Sequence, residues 1–136
     1  MEHNRYTMIG PAMQVDIRPN IGIDENACQS VVEMLNVILA DEAVLAIKTR
    51  SAHWNIRGAD FLGLHNLFDA QYRQLDDICD EVAERARMLG GFARGSFPDF
   101  SKNTRLDEQA SDVPDILRLL ADQEAIIRIL RGDAAV

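Results

Sequence analysis

No run of eighteen or more apolar residues occurs in the sequence, so no segment is long and apolar enough to cross a bilayer as a helix. The opening residues, MEHNRYTMIG, lack the basic-then-apolar order of a secretory signal, and the cytoplasm is the expected location. Positive charge is scarce. Against 22 Asp and Glu there are 14 Lys and Arg, giving a net charge of -8. That is the wrong sign for a surface that grips phosphates, because such binding comes from Lys and Arg displacing counterions. Cysteine is limited to Cys28 and Cys79, with no CxxC spacing, which predicts reduced thiols within helices rather than a disulfide. HExxH, GxSxG, a Gly-rich phosphate loop and a Cys-rich ligand set are all missing, so the sequence offers no signature of a hydrolytic zinc enzyme, a serine hydrolase or a nucleotide-binding protein. There is no internal repeat and no strand-like alternation.

What remains is a chain of 136 residues with 47% hydrophobic content, enough for one domain with its own core. Residues 1–23 form an irregular arm, broken by Gly10, Pro11, Pro19 and Gly22, with no lysine and with Arg5 and Arg18 balanced by Glu2 and Asp16. Residues 24–136 form a helical domain. Asp24 is a suitable cap for a first helix, which places Cys28, Val31, Val32, Leu35, Ile38, Leu39 and Leu45 at spacings of three and four and runs to about Trp54. Gly58 marks the turn. A second helix over about 59–89 carries Leu64, Leu67, Phe68, Leu75, Ile78, Val82 and Leu89 on its apolar face and stops at Gly90 and Gly91. The next stretch, rich in Gly, Pro, Ser and Asn, predicts a crossover with a short helix near 97–102. A third long helix starts near Asp112 with Pro114 in its first turn and turns Ile116, Leu119, Leu120, Ile126, Ile127 and Leu130 inward. The class is all-α.

Chemistry concentrates on the second helix. At 100° per residue, His65, Asp69, Tyr72, Asp76, Asp80 and Glu84 fall within an arc of about 120°. A stripe of acids alone is an ordinary solvated face. Ligand type distinguishes this one: His65 and Asp69 are four residues apart, as are Asp80 and Glu84, so each pair can converge on one cation, and imidazole with carboxylate suits iron. The two pairs cannot share a metal within one chain, since His65 and Glu84 lie roughly 28 Å apart along a helix. Two antiparallel copies related by a two-fold axis near residues 73–75 would instead set His65 and Asp69 of one chain opposite the other pair of its partner, giving two equivalent sites. His53, at the end of the first helix, is within reach of the His65 end.

The stretch from Lys48 to Gly91, with HWNxxG, then LHxLFDxQY, then DxxAER followed by LG, closely resembles the Dps family, the DNA-protecting mini-ferritins of bacteria. The likeness extends from about residue 24 to residue 131. It implies a ferritin-like bundle and a ferroxidase that oxidises Fe(II) to Fe(III), preferably with hydrogen peroxide, and stores ferric iron in a hollow twelve-subunit shell. It also implies that His53, His65 and Asp69 come from one subunit and Asp80 and Glu84 from its two-fold partner. Trp54 would lie near such a site, either accepting an oxidising equivalent or packing in the interior; Tyr72 and Asp76 would be interface or supporting groups. The chain departs from the family pattern twice. Its length leaves no room for a fourth bundle helix after the third, and its N-terminal arm has no net positive charge, so DNA binding is not supported by charge. The competing readings are a non-catalytic helical oligomer and a nucleoid-associated DNA-protecting protein.

Overall fold

The computed structural model describes residues 19–108 and 116–135, and among them every regular element is helical: α1 (Glu25–Asn55), α2 (Phe61–Met88), α3 (Phe97–Asn103) and α4 (Ile116–Asp133). The arm before residue 19 and the expected cap of the last helix, Asp112 with Pro114, lie outside the described residues. Asp24 caps α1 as its side chain suggests, accepting hydrogen bonds from the backbone N–H groups of Asn26 (2.9 Å) and Ala27 (3.3 Å). Gly90, with φ of 81°, ends α2 in the left-handed region that favours glycine. α3 begins with a capping box in which Ser96 and Asp99 satisfy each other's backbone N–H groups. Four helices are therefore present among the described residues. The expectation of a chain without a fourth helix is corrected in its count by α3, a seven-residue helix beside three long ones.

α1 is the central element, and α2, α3 and α4 each pack against it. Val44, Leu45 and Ala52 of α1 meet Phe68 of α2, Leu106 of the crossover, and Leu119 and Ile126 of α4 in one buried cluster. The apolar stripes are only partly buried. Val31, Leu67, Leu120 and Ile127, expected to face inward, are exposed. α2 and α4 flank a groove of about 360 Å³ lined by Leu45, Leu75, Ile78, Ile126, Ile127 and Leu130, and Ile127 is exposed in it. Glu42 also lines this groove and is buried there. Burial, and secondarily the charge of Asp41, push its carboxyl above the ordinary range, which makes its ionised form a cost to folding at neutral pH.

Polar pins on α1 hold the connections. Buried Asn36 donates to the carbonyl of Phe92 (3.0 Å) and accepts from the backbone N–H of Arg94 (2.8 Å), fixing the chain as it leaves α2. Beside it Gly91 lies against Val32 so closely that a Cβ there would overlap both valine methyls. Asp41 is fully buried. It accepts from the Thr104 hydroxyl (3.0 Å), the Arg105 backbone N–H (2.6 Å) and Arg105 Nε (2.7 Å), while the same guanidinium reaches Asp133 at the end of α4 (3.0 Å). One carboxylate thus ties the crossover and the last helix to α1. Lys48 adds a second tie, through the Asp107 carbonyl and the Asp122 carboxylate, both at 2.6 Å. Cys28 and Cys79 are free thiols, as expected.

Replacing Asp41 with alanine leaves these donors without their acceptor. Asp41→Ala is expected to lower unfolding free energy by about 3 kcal/mol, read from urea midpoints at one protein concentration. A change below about 0.5 kcal/mol would show that Asp41 is not the pin described.

Candidate metal centre

The turn between α1 and α2 builds the first half of the site. α1 ends when Ile56 adopts an extended backbone, its N–H still bonded to the Ala52 carbonyl (2.9 Å). Gly58, with φ of 116°, reverses the chain, and Phe61 opens α2 with its N–H on the Gly58 carbonyl (3.2 Å). This short connection brings the last turn of α1 against the second turn of α2, and so His53 against His65. Their rings stack with centroids 3.8 Å apart.

Each histidine is oriented by the other's backbone. His53 Nδ1 lies 2.8 Å from the His65 carbonyl oxygen, and His65 Nδ1 lies 3.0 Å from the His53 carbonyl oxygen. A carbonyl oxygen only accepts, so both Nδ1 atoms must carry the proton. In the neutral imidazoles this leaves both Nε2 atoms with free lone pairs, the tautomer a metal ion requires. Phe61 stacks on the far side of His65 (5.0 Å), and Tyr72 meets His53 edge-on (5.5 Å), so the four rings form one aromatic row.

Tyr72 links this row to the carboxylate. Its hydroxyl donates to Asp69 Oδ1 (2.8 Å), and the Asp69 side chain also receives Arg73 Nε on Oδ2 (2.9 Å) and Arg73 Nη2 on Oδ1 (3.2 Å). These bonds, Arg73 first and Tyr72 second, hold the Asp69 carboxyl below the usual carboxylate range, and the bond to Asp69 raises the Tyr72 phenol above its ordinary value. Arg50 covers the Tyr72 ring at 4.7 Å and pairs with Asp76.

Of the five expected ligands, the structure brings His53, His65 and Asp69 to one end of the α1–α2 pair. Asp80 and Glu84 are exposed on α2, about 16 Å and 22 Å along the helix from Asp69. Among the described residues, no three His, Cys, Asp or Glu side chains converge closely enough to hold a metal within one chain. Trp54, 70% exposed, does not pack in the interior of the chain, which corrects that alternative for it. Tyr72, on the same stripe, donates its hydroxyl to Asp69. Phe61, Arg50 and Arg73 are additions. The sequence held a signal for Arg73 alone, through its position four residues after Asp69.

Cys79, close to the charges of Glu42, Asp76 and Asp80, is a poor nucleophile or metal ligand: burial first, then those carboxylates, push its thiol up to about 12.

The Asp69 carboxyl provides a check on this geometry. Because its folded value is depressed, its contribution to stability is present above the ordinary value of about 3.9 and is lost as pH falls through the folded value. In carboxyl-carbon NMR titrations of the metal-free chain, Arg73→Gln is expected to raise its midpoint toward the ordinary value, and Tyr72→Phe to raise it less. The opposite order would contradict the arrangement.

Comparison with known proteins agrees with this architecture. The model of the ferritin-like domain matches residues 32–132. The chain is 40% identical over 91 residues to the DNA protection during starvation protein of Agrobacterium fabrum, an overlap of 67% of this chain and 56% of that one. Its fold superimposes on DpsC from Streptomyces coelicolor with a TM-score of 0.81 at 30% identity, covering 87% of this chain and 70% of the other. It superimposes also on the Dps protein of Vibrio cholerae O1, described as a member of a broad superfamily of ferritin-like diiron-carboxylate proteins, with a TM-score of 0.68 at 29% identity and coverage of 87% and 82%. The chain spans between 56% and 66% of the length of four curated relatives, the Agrobacterium protein among them. By the domain match, the helical architecture and the likeness to DpsC, the chain belongs to the Dps family of ferritin-like proteins.

Proposed function

We propose that this chain is a subunit of an iron-oxidising, iron-storing mini-ferritin whose Fe(II) substrate binds between two copies, held by His53, His65 and Asp69 of one subunit and by the partner's Asp80 and the partner's Glu84. The observation that carries this reading is the reciprocal histidine pair, whose Nδ1 atoms are both spent on carbonyls so that both Nε2 lone pairs are available to a cation. One helix carries that half-site and, beyond the reach of metal–ligand bonds, a second pair of exposed carboxylates four residues apart. An antiparallel two-fold pairing of α2 with itself joins the two halves twice.

Each group has a role in the reaction. Neutral imidazoles hold Fe(II) without adding charge. The carboxylates are hard anionic oxygen donors that favour Fe(III) over Fe(II), lowering the cost of giving up an electron. Hydrogen peroxide takes two electrons: two Fe(II), one peroxide and two protons give two Fe(III) and two waters. Consuming both reagents together prevents their one-electron reaction and the hydroxyl radical it yields. Ferric product accumulates inside a closed homo-oligomer, for which twelve subunits is the family expectation. The setting is cytoplasmic, and no described helix is long and apolar enough to cross a membrane. Support for iron comes from the ferritin-like domain and from the description of the Vibrio cholerae relative.

DNA protection is named for several relatives, but a net charge of -8 weighs against direct contact with phosphates by this chain. Protection by removal of iron and peroxide needs no such contact.

The test is Fe(II) oxidation with added peroxide, followed by absorbance, with light scattering reporting assembly. Asp80→Ala/Glu84→Ala is expected to slow oxidation at least about tenfold while the oligomer persists. Equal rates in variant and wild type would overturn the reading, and rates both equal and slow would favour the non-catalytic oligomer.

A further inference from the structure

Arg73 is a charged group at the histidine end that stands outside the proposed ligand set yet touches it. Arg73 grips Asp69 through two parallel bonds, Nε to Oδ2 at 2.9 Å and Nη2 to Oδ1 at 3.2 Å, while the Tyr72 hydroxyl also takes Oδ1 at 2.8 Å. Both oxygens through which Asp69 would hold a cation are thereby engaged. We propose that Arg73 is a built-in competitor for the metal: a positioning residue that holds the Asp69 carboxylate in the metal-free protein, must release it before a divalent cation binds, and so sets the affinity of the site. The proposal rests on the reading of His53, His65 and Asp69 as iron ligands.

Three features suit Arg73 to this role. Its fork matches a carboxylate, so Asp69 is held in one orientation when no metal is present. The pair lies four residues apart on one helix, and the Arg73 side chain is 67% exposed, which makes the grip weak enough for a divalent cation to break. The guanidinium also has somewhere to go: it lies 5.4 Å over the Tyr72 ring, and Asp77 follows four residues later on the same helix. Asp76 is already paired with Arg50 and is less available. In the metal-free chain the Arg73 guanidinium balances the charge of Asp69, so this carboxylate is paired before any metal arrives.

The experiment is titration of the intact protein with Co(II), read by visible absorbance and calorimetry at low ionic strength. Arg73→Gln is expected to bind Co(II) about two- to fivefold more tightly than wild type. Arg73→Lys should fall between them, since it keeps the charge and loses the fork. The advantage of Arg73→Gln should shrink in about 0.5 M salt, which screens an exposed ion pair. Asp69→Asn serves as the control for the site and should weaken binding. Unchanged or weaker binding by Arg73→Gln, with dependence on Asp69 intact, overturns the competitor role alone. Binding indifferent to Asp69→Asn overturns the ligand reading, and the competitor role with it.

Discussion

α1 is the support on which every other helix rests, and its constraint is to satisfy different neighbours along 31 residues. Near its start Asn36 holds the loop that leaves α2, in its middle Asp41 pins the crossover and the end of α4, and at its end His53 meets α2. α2 and α4, by contrast, meet through side chains such as Gln71 and Gln123, joined by a 3.0 Å hydrogen bond. The position of the site therefore depends on how α1 hands the chain to α2. The Gly58 turn sets that handover, and the two histidine–carbonyl bonds close it.

That joint also orders the side chains of the proposed half-site within a single chain. A histidine on a solvated helix samples several rotamers and both tautomers, and ordering it on binding costs free energy. Here the cost is met by the fold, because each imidazole is fixed by a carbonyl next to a helix end and by stacking on the other ring. Asp69 is ordered by Tyr72 and Arg73 in the same way. The carboxylates at Asp80 and Glu84 sit on an exposed face, where a second subunit would supply what a single chain lacks.

Much of this was legible in the sequence where one local signal decides the outcome. Asp24 as a cap, the glycine stop at Gly90 and the short helix after Ser96 follow from side-chain and backbone preferences within a few residues. The spacing of His65 and Asp69 and the place of His53 suggested a candidate half-site, and the structure brings these three to one end of the α1–α2 pair, with Asp80 and Glu84 further along the helix. Periodicity was a poorer guide to burial. Val31, Leu67, Leu120 and Ile127 fit the apolar stripes yet are exposed, because a stripe records that a face is apolar and not what covers it. The converse error lay on α1, where Asn36, Asp41, Glu42 and Thr49 are buried. Asn36, Asp41 and Thr49 find partners, Asn36 and Asp41 with residues more than fifty positions away, which no local pattern reports. The reciprocal histidine bonds were beyond reach for a related reason: they depend on the angle between two helices rather than on any spacing within one.

The central claim is that two subunits build each site, and complementation between inactive variants tests it most directly. Asp80→Ala/Glu84→Ala removes one half, and His53→Ala/His65→Ala/Asp69→Asn removes the other. Unfolded and refolded together in equal amounts, mixed pairs would contain one intact site and one lacking both halves. Peroxide-driven Fe(II) oxidation should then recover to about a quarter of the wild-type rate, although each variant alone is slow. A mixture no faster than the two variants measured separately, with exchange of subunits verified, would contradict a site shared between chains.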